Sequence, residues 1–222
     1  MVANAYISIA RVILLCLISL HVQASTVEEV IEATAEVATP APLISENAKN
    51  LAQCAGAEKI ASMRDELFNS TKNSTENAYF KLLGQAKFSV LFWDIYNSKL
   101  LTTDGEQPFS SACQSSLFEI HYLRDISRKE LLENTVAQWR HLALEEKVYK
   151  AYVPVLASIW PDLKAGDRLS MLNQHGITDF YLNSKKIGEI KSIDFAKTFL
   201  RIWLDENTSE PKLRQQLLGD SI

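Results

Sequence analysis

Glycine and proline are scarce in this chain, with 7 and 6 residues among 222. That excludes a collagen-like repeat and any disorder driven by those two residues over the whole length. The glycines are scattered, so no Gly-rich loop is present to cradle a phosphate. Basic residues are not in surplus either: 23 Lys and Arg face 27 Asp and Glu, a formal charge of -4. Nucleic-acid binders need bases gathered on one face to neutralise phosphates, so nucleic acid is excluded as a general partner. Histidine and cysteine number only 4 and 3 and never cluster at ligand spacing, so no metal motif and no cofactor motif can be read.

What is present begins at the N-terminus. Arg11 precedes an apolar run from Val12 to Leu20, and Val22-Gln23-Ala24 supplies small residues two apart. This pattern predicts a secretory signal peptide over residues 1–24. The run is shorter than the roughly 20 apolar residues that cross a bilayer, so no stable membrane span is expected after cleavage. Removal of the peptide takes away Arg11 and no acid, leaving a mildly acidic chain. It also leaves two cysteines, Cys54 and Cys113, in a compartment where disulfides persist, which predicts a Cys54–Cys113 bridge over two separate thiols.

Residues 25–79 read as a leader followed by weakly patterned helices. Ser25 to Ala41 carries no base and no aromatic residue and runs into Pro40 and Pro42, whereas Leu51, Ile60, Met63 and Leu67 recur at loosely helical spacing. The core domain is expected over 80–222. Phe88 to Tyr96 is apolar on both alternating sets and predicts a central strand covered on both faces, broken by Asn97-Ser98. A second strand follows from Ser116 to Leu123. At Ser127 the period switches to about 3.6, with Leu131, Leu132, Thr135, Val136, Trp139 and Leu142 on one stripe and Ser127 and Glu130 at capping-box spacing. One helix, kinked at Pro154, is expected from Glu145 to Trp160. Strands at Asp167–Leu172, Thr178–Leu182 and Lys186–Ile190 form a meander, and two helices follow, one capped at Asp194 with Ile193 as its staple and one starting near Pro211. Strands, helices, strands, helices: the order predicts an α+β fold, an antiparallel sheet with helices packed on one face.

The chemistry-bearing residues are few. His121, Tyr122 and Arg124 crowd one strand end, but neighbours on a strand point to opposite faces, and Ser127 is better read as a helix cap than as a nucleophile. No catalytic residue is assigned. Aromatic residues are more telling: Phe88, Tyr96, Phe118, Tyr122, Trp139, Phe199 and Trp203 lie on faces that should converge, and they either fill a core or line an apolar cavity.

Several ordered blocks, Phe88 to Tyr96, Leu117 to Ile126, Glu133 to Ala137, Ile159-Trp-Pro-Asp162, Gly166-Asp167 and Phe199 to Leu204 through Pro211, resemble the bacterial, exported chalcone isomerase-like family. The resemblance implies the chalcone isomerase fold, with a ligand cleft between sheet and helices, and a periplasmic location. It also implies a test of activity. The plant isomerases of this fold use an Arg, two Thr, a Tyr and an Asn, and the corresponding positions here hold Lys81 as nearest base, Leu91, Ile202, Ser127 and Asn134. Only Asn134 matches, and the lost hydroxyls remove the donors that would polarise a ketone. The expectation is a non-catalytic protein that binds a hydrophobic small molecule or fatty acid through Tyr96, Tyr122, Arg124, Asn134, Trp139 and Trp203. The alternative is an interaction module whose N-terminal leader docks a partner protein.

Overall fold

The computed structural model describes residues 79–219. The expected signal peptide, the leader and helices up to residue 78, and Cys54 lie outside the described residues. Six strands form one antiparallel sheet in sequence order: β1 (Lys81–Val90), β2 (Trp93–Thr102), β3 (Ser116–Tyr122), β4 (Arg168–Gln174), β5 (Ile177–Leu182) and β6 (Lys185–Lys191). Between β3 and β4 come α1 (Arg128–His141), α2 (Glu146–Tyr149) and α3 (Tyr152–Ile159); after β6 come α4 (Phe195–Leu204) and α5 (Pro211–Leu217). This is the α+β order that the sequence predicts. None of the described helices is long and apolar enough to cross a membrane.

The period-two pattern decides which face of the sheet the helices cover. Leu100, Phe118, Met171 and Phe180 pair across β2 to β5 and are each at most 2% exposed. With Ile120 and Leu169 they pack against Trp139, Leu156, Phe195, Phe199 and Leu200 of the helices. On the opposite face Leu101, Leu117, Leu172 and Tyr181 form a smaller apolar cluster with Phe80, and Glu119, Ser170 and Asp179 lie beside it.

Helix α1 follows its pattern closely: the expected stripe is the buried one, and the Ser127 hydroxyl accepts from the Glu130 N–H. The reciprocal half of the capping box is absent, because the Glu130 carboxylate turns to Arg124 instead. The single kinked helix expected over 145–160 is two, α2 and α3, separated at Lys150–Ala151. Pro154 falls in the first turn of α3, where its missing N–H has no intrahelical partner to lose. The β4–β5 and β5–β6 connections are two-residue turns, His175-Gly176 and Asn183-Ser184, with positive φ throughout, the geometry that matches the twist of a hairpin. Ile193 is 40% exposed and lies over Gly176.

The largest departure is at residues 88–96. They do not form one central strand: the chain reverses at Leu91-Phe92, so the run supplies the tip of the β1–β2 hairpin, with Val90 opposite Trp93 and β1 at the sheet edge. Asn97 and Ser98, expected to break the strand, sit within β2, where the Ser98 hydroxyl donates to the Ala86 carbonyl. A run apolar on both alternating sets is ambiguous between a strand buried on two faces and a hairpin whose turn is itself apolar.

Candidate functional site

The sequence of β2 and β3 places Tyr96 directly opposite Tyr122, with ring centroids 6.0 Å apart. Phe88 of β1 lies 5.1 Å from Tyr96 on the other side. Trp203 in the last turns of α4 completes the group: its indole N–H donates to the Tyr96 hydroxyl at 2.9 Å, and its ring lies 4.7 Å from Phe118 and 5.3 Å from Phe199. Phe88, Tyr96 and Trp203 are half-buried, so this aromatic edge is where the layer between sheet and helices meets solvent. Tyr122 is 4% exposed and closes it from below.

The electrostatics of the edge are those of a neutral or negative place. Burial pushes the Tyr96 phenol up, and the Glu210 carboxylate adds to it against the Trp203 hydrogen bond. Burial likewise raises Tyr122, with Tyr96 and Glu130 reinforcing the shift. Both phenols are therefore held protonated, as hydrogen-bonding groups rather than bases. Arg124 is ion-paired to Glu130 and also donates to the Asp125 carbonyl, while its buried Nε has no hydrogen-bond partner. Its charge is thus already answered by a carboxylate.

Of the six residues predicted to bind a ligand, the fold brings Tyr96, Tyr122 and Trp203 together and sets Arg124 beside them through Glu130. It sends the other two elsewhere. Trp139 is fully buried, stacked on Tyr149 at 5.2 Å, with its N–H donated to the Thr198 carbonyl at 3.1 Å. Asn134 is exposed on α1. Of the two readings of the aromatic faces, core filling is the one observed between Trp139, Trp203 and the strand residues Phe88–Tyr96, where rings pack on one another, the Trp160, Phe180, Phe195 and Phe199 series included. Two residues that shape the site were not singled out by the sequence reading, Glu130 and Glu210. Glu130 was legible only as a cap partner, and nothing in the spacing links Glu210 to a tyrosine more than a hundred residues away.

A groove of about 820 Å³ opens on the outer face of the sheet beside the end of α5, lined by Lys87, Asn97, Lys99, Glu119, His121 and Arg168 and closed at one end by Gln216 and Gly219. Glu119 at its floor is pushed above the usual carboxylate range by burial, despite Arg168, a hydrogen bond from Ser170 and Lys99. His121 therefore lines this groove while Tyr122 faces the helices, and a joint catalytic role for the two is ruled out by the alternation of β3. Among the described residues no group of His, Cys, Asp and Glu is arranged to hold a metal ion.

The model of a family described as chalcone isomerase-like matches residues 63–219. The chain belongs to the chalcone isomerase-like family. Among solved structures, a fatty-acid binding protein of Arabidopsis thaliana is similar to it, with a TM-score of 0.52 over 65% of this chain and 89% of that one, at 11% identity. A likeness at that identity establishes the fold, an open six-stranded antiparallel sheet with helices. No curated protein matches the chain in sequence.

In this chalcone isomerase-like chain the positions aligned above with isomerase chemistry do not converge on one another. Leu91 stands at the hairpin tip, 74% exposed; Ile202 is in the core; Ser127 caps α1; Lys81 donates to the Asp104 carbonyl in the β2–β3 loop. None of these side chains joins the Tyr96–Tyr122 edge in a hydrogen bond or ring contact given by the structure.

Proposed function

We propose that this protein is exported, does not catalyse, and binds an uncharged or weakly polar apolar molecule at the Tyr96–Tyr122–Trp203 edge between sheet and helices. The observation that carries the reading is the charge arrangement around the two phenols. Glu210 faces Tyr96 and Glu130 faces Tyr122, and Arg124, two residues along from Tyr122, is bound to Glu130. A buried carboxylate without a free cation is unfavourable, so a fatty-acid anion fits this edge less well than a neutral lipid whose hydroxyl or ester meets a phenol. The fatty-acid binding protein that shares the fold supports an apolar ligand as the general class. The polar groove on the other face gives an acyl chain little apolar surface to bury.

Because rings fill the layer, the ligand packs against the half-buried faces of Trp203 and Phe88 at the edge rather than entering an open cavity. Titration of delipidated protein with a monoacylglycerol and with the matching fatty acid tests this. The expected result is saturable binding of the monoacylglycerol that weakens at least about tenfold in Trp203→Ala, since a large aromatic contact is lost. Equal or tighter binding of the fatty acid, insensitive to Trp203→Ala, contradicts the edge as the site.

The interaction-module reading is the alternative proposal: residues 25–80 dock a partner protein while the core serves as scaffold. A pull-down with and without residues 25–80 separates it from ligand binding.

A further inference from the structure

The β1–β2 hairpin ends in three consecutive apolar residues that the fold does not bury. Leu91 is 74% exposed, Phe92 96% and Trp93 60%. Their identity is not explained by the turn. Leu91 has φ +54°, a conformation that favours Gly or Asn and strains a leucine, and Phe92 gains no packing in exchange. A strained apolar residue with no burial to show for it points to a partner outside the chain. Just below the tip the surface turns polar: Asp94 pairs with Lys87 and accepts from the Ser89 hydroxyl at 2.7 Å, which forms a collar around the hairpin.

We propose that this tip docks the protein on a lipid bilayer, inserting Leu91, Phe92 and Trp93 into the headgroup and upper acyl region. Three arguments favour a bilayer over a protein. The three side chains offer on the order of 400 Å² of apolar surface, about half of the roughly 800 Å² per partner that a stable protein interface or dimer needs. The tip stands two residues beyond the Ser89–Asp94 collar, about 7 Å at strand rise, which matches the roughly 5–10 Å to which interfacial elements sink. Trp93 sits nearest the collar, where an amphipathic ring is stable at the membrane–water boundary. On either side of Ser89 in β1, Val90 and Phe88 pack against the main core, and Phe88 touches Tyr96. Docking does not depend on the ligand proposal, since the tip acts whether or not the aromatic edge is occupied.

The experiment is flotation of the full protein with phosphatidylcholine vesicles, with and without phosphatidylglycerol, together with tryptophan emission. Trp139 and Trp160 are buried and Trp203 is half-buried, so a blue shift and quenching by brominated lipid report chiefly on Trp93. The wild type floats with both vesicle types and shows the shift. The Leu91→Asn/Phe92→Ser variant loses at least about a hundredfold in partitioning, because each deleted side chain is worth more than a factor of ten. Its melting temperature stays level or rises, because Asn suits a positive φ. The proposal is overturned if the wild type does not float, if the variant floats equally well, or if the tip instead drives a concentration-dependent dimer that the variant abolishes. Monoacylglycerol binding measured in the same variant keeps this result separate from the ligand reading.

Discussion

Trp203 and Tyr96, 107 positions apart in the chain, are joined by one hydrogen bond of 2.9 Å from the indole N–H to the phenol oxygen. It is a direct polar link between α4 and β2 at the solvent edge of the layer. Replacing Tyr96 with Phe leaves the indole N–H without its acceptor and is expected to lower stability by about 1 kcal/mol. Replacing Trp203 with Phe removes donor and volume together. A double-mutant cycle in urea should return a coupling of about 1 kcal/mol, and a coupling near zero would show that the bond contributes nothing to holding the edge closed.

Gly84 of β1 lies under α5, and a Cβ there would meet the backbone oxygens of Gln216 and Leu217 at 2.2 and 2.5 Å. Backbone cannot give way as a side chain can. Gly84→Ala should therefore cost about 3 kcal/mol or displace α5 from the sheet, read as a fall in the urea midpoint and early hydrogen exchange in residues 211–217. Wild-type stability in this variant would mean that α5 does not rest on β1.

The segment between α3 and β4 is held by two carboxylates. Asp125 accepts from the Ala165 N–H at 2.9 Å and from Lys164 at 3.0 Å, and Asp167 accepts from Asn183 and the Lys164 N–H, both at 2.7 Å. These bonds hold both acids below the usual carboxylate range. A depressed folded-state value means stability that is complete above the unfolded value of about 3.9 and is lost as pH falls through the folded one. The melting temperature should fall as pH drops below about 4, and Asp167→Asn should make that acid limb shallower. An unchanged slope would remove Asp167 from the explanation.

The Cys54–Cys113 bridge is proposed from the compartment that the N-terminus implies. Cys113 lies exposed in the β2–β3 loop. The chain from residue 25 onward, purified under oxidising conditions, should contain no free thiol by alkylation and mass analysis, and Cys54→Ser should cost about 2–4 kcal/mol. Two alkylated cysteines in unreduced protein would refute the bridge.

Helix α1 and the meander were legible because their signals are local. The α1 stripe from Leu131 to Trp139 repeats at helical period, and the β4 to β6 strands are separated by turn residues that tolerate positive φ. The β1–β2 hairpin was not, because Leu91-Phe92 carries no turn chemistry and reads as more strand. The site was half legible: aromatic residues mark the faces that meet, so Tyr96, Tyr122 and Trp203 could be named. Their ionic surroundings could not, since Glu130 and Glu210 arrive through tertiary packing, and Trp139, equally aromatic, turns out to fill the core.

The central claim, an apolar ligand held at the Tyr96–Trp203 edge, is tested most directly by native mass spectrometry of the protein purified from its own cells, followed by extraction of whatever it carries. The account predicts one neutral lipid-like molecule per chain in the wild type and its loss in Trp203→Ala. A ligand-free mass in the wild type, together with no uptake of added monoacylglycerol, would contradict it.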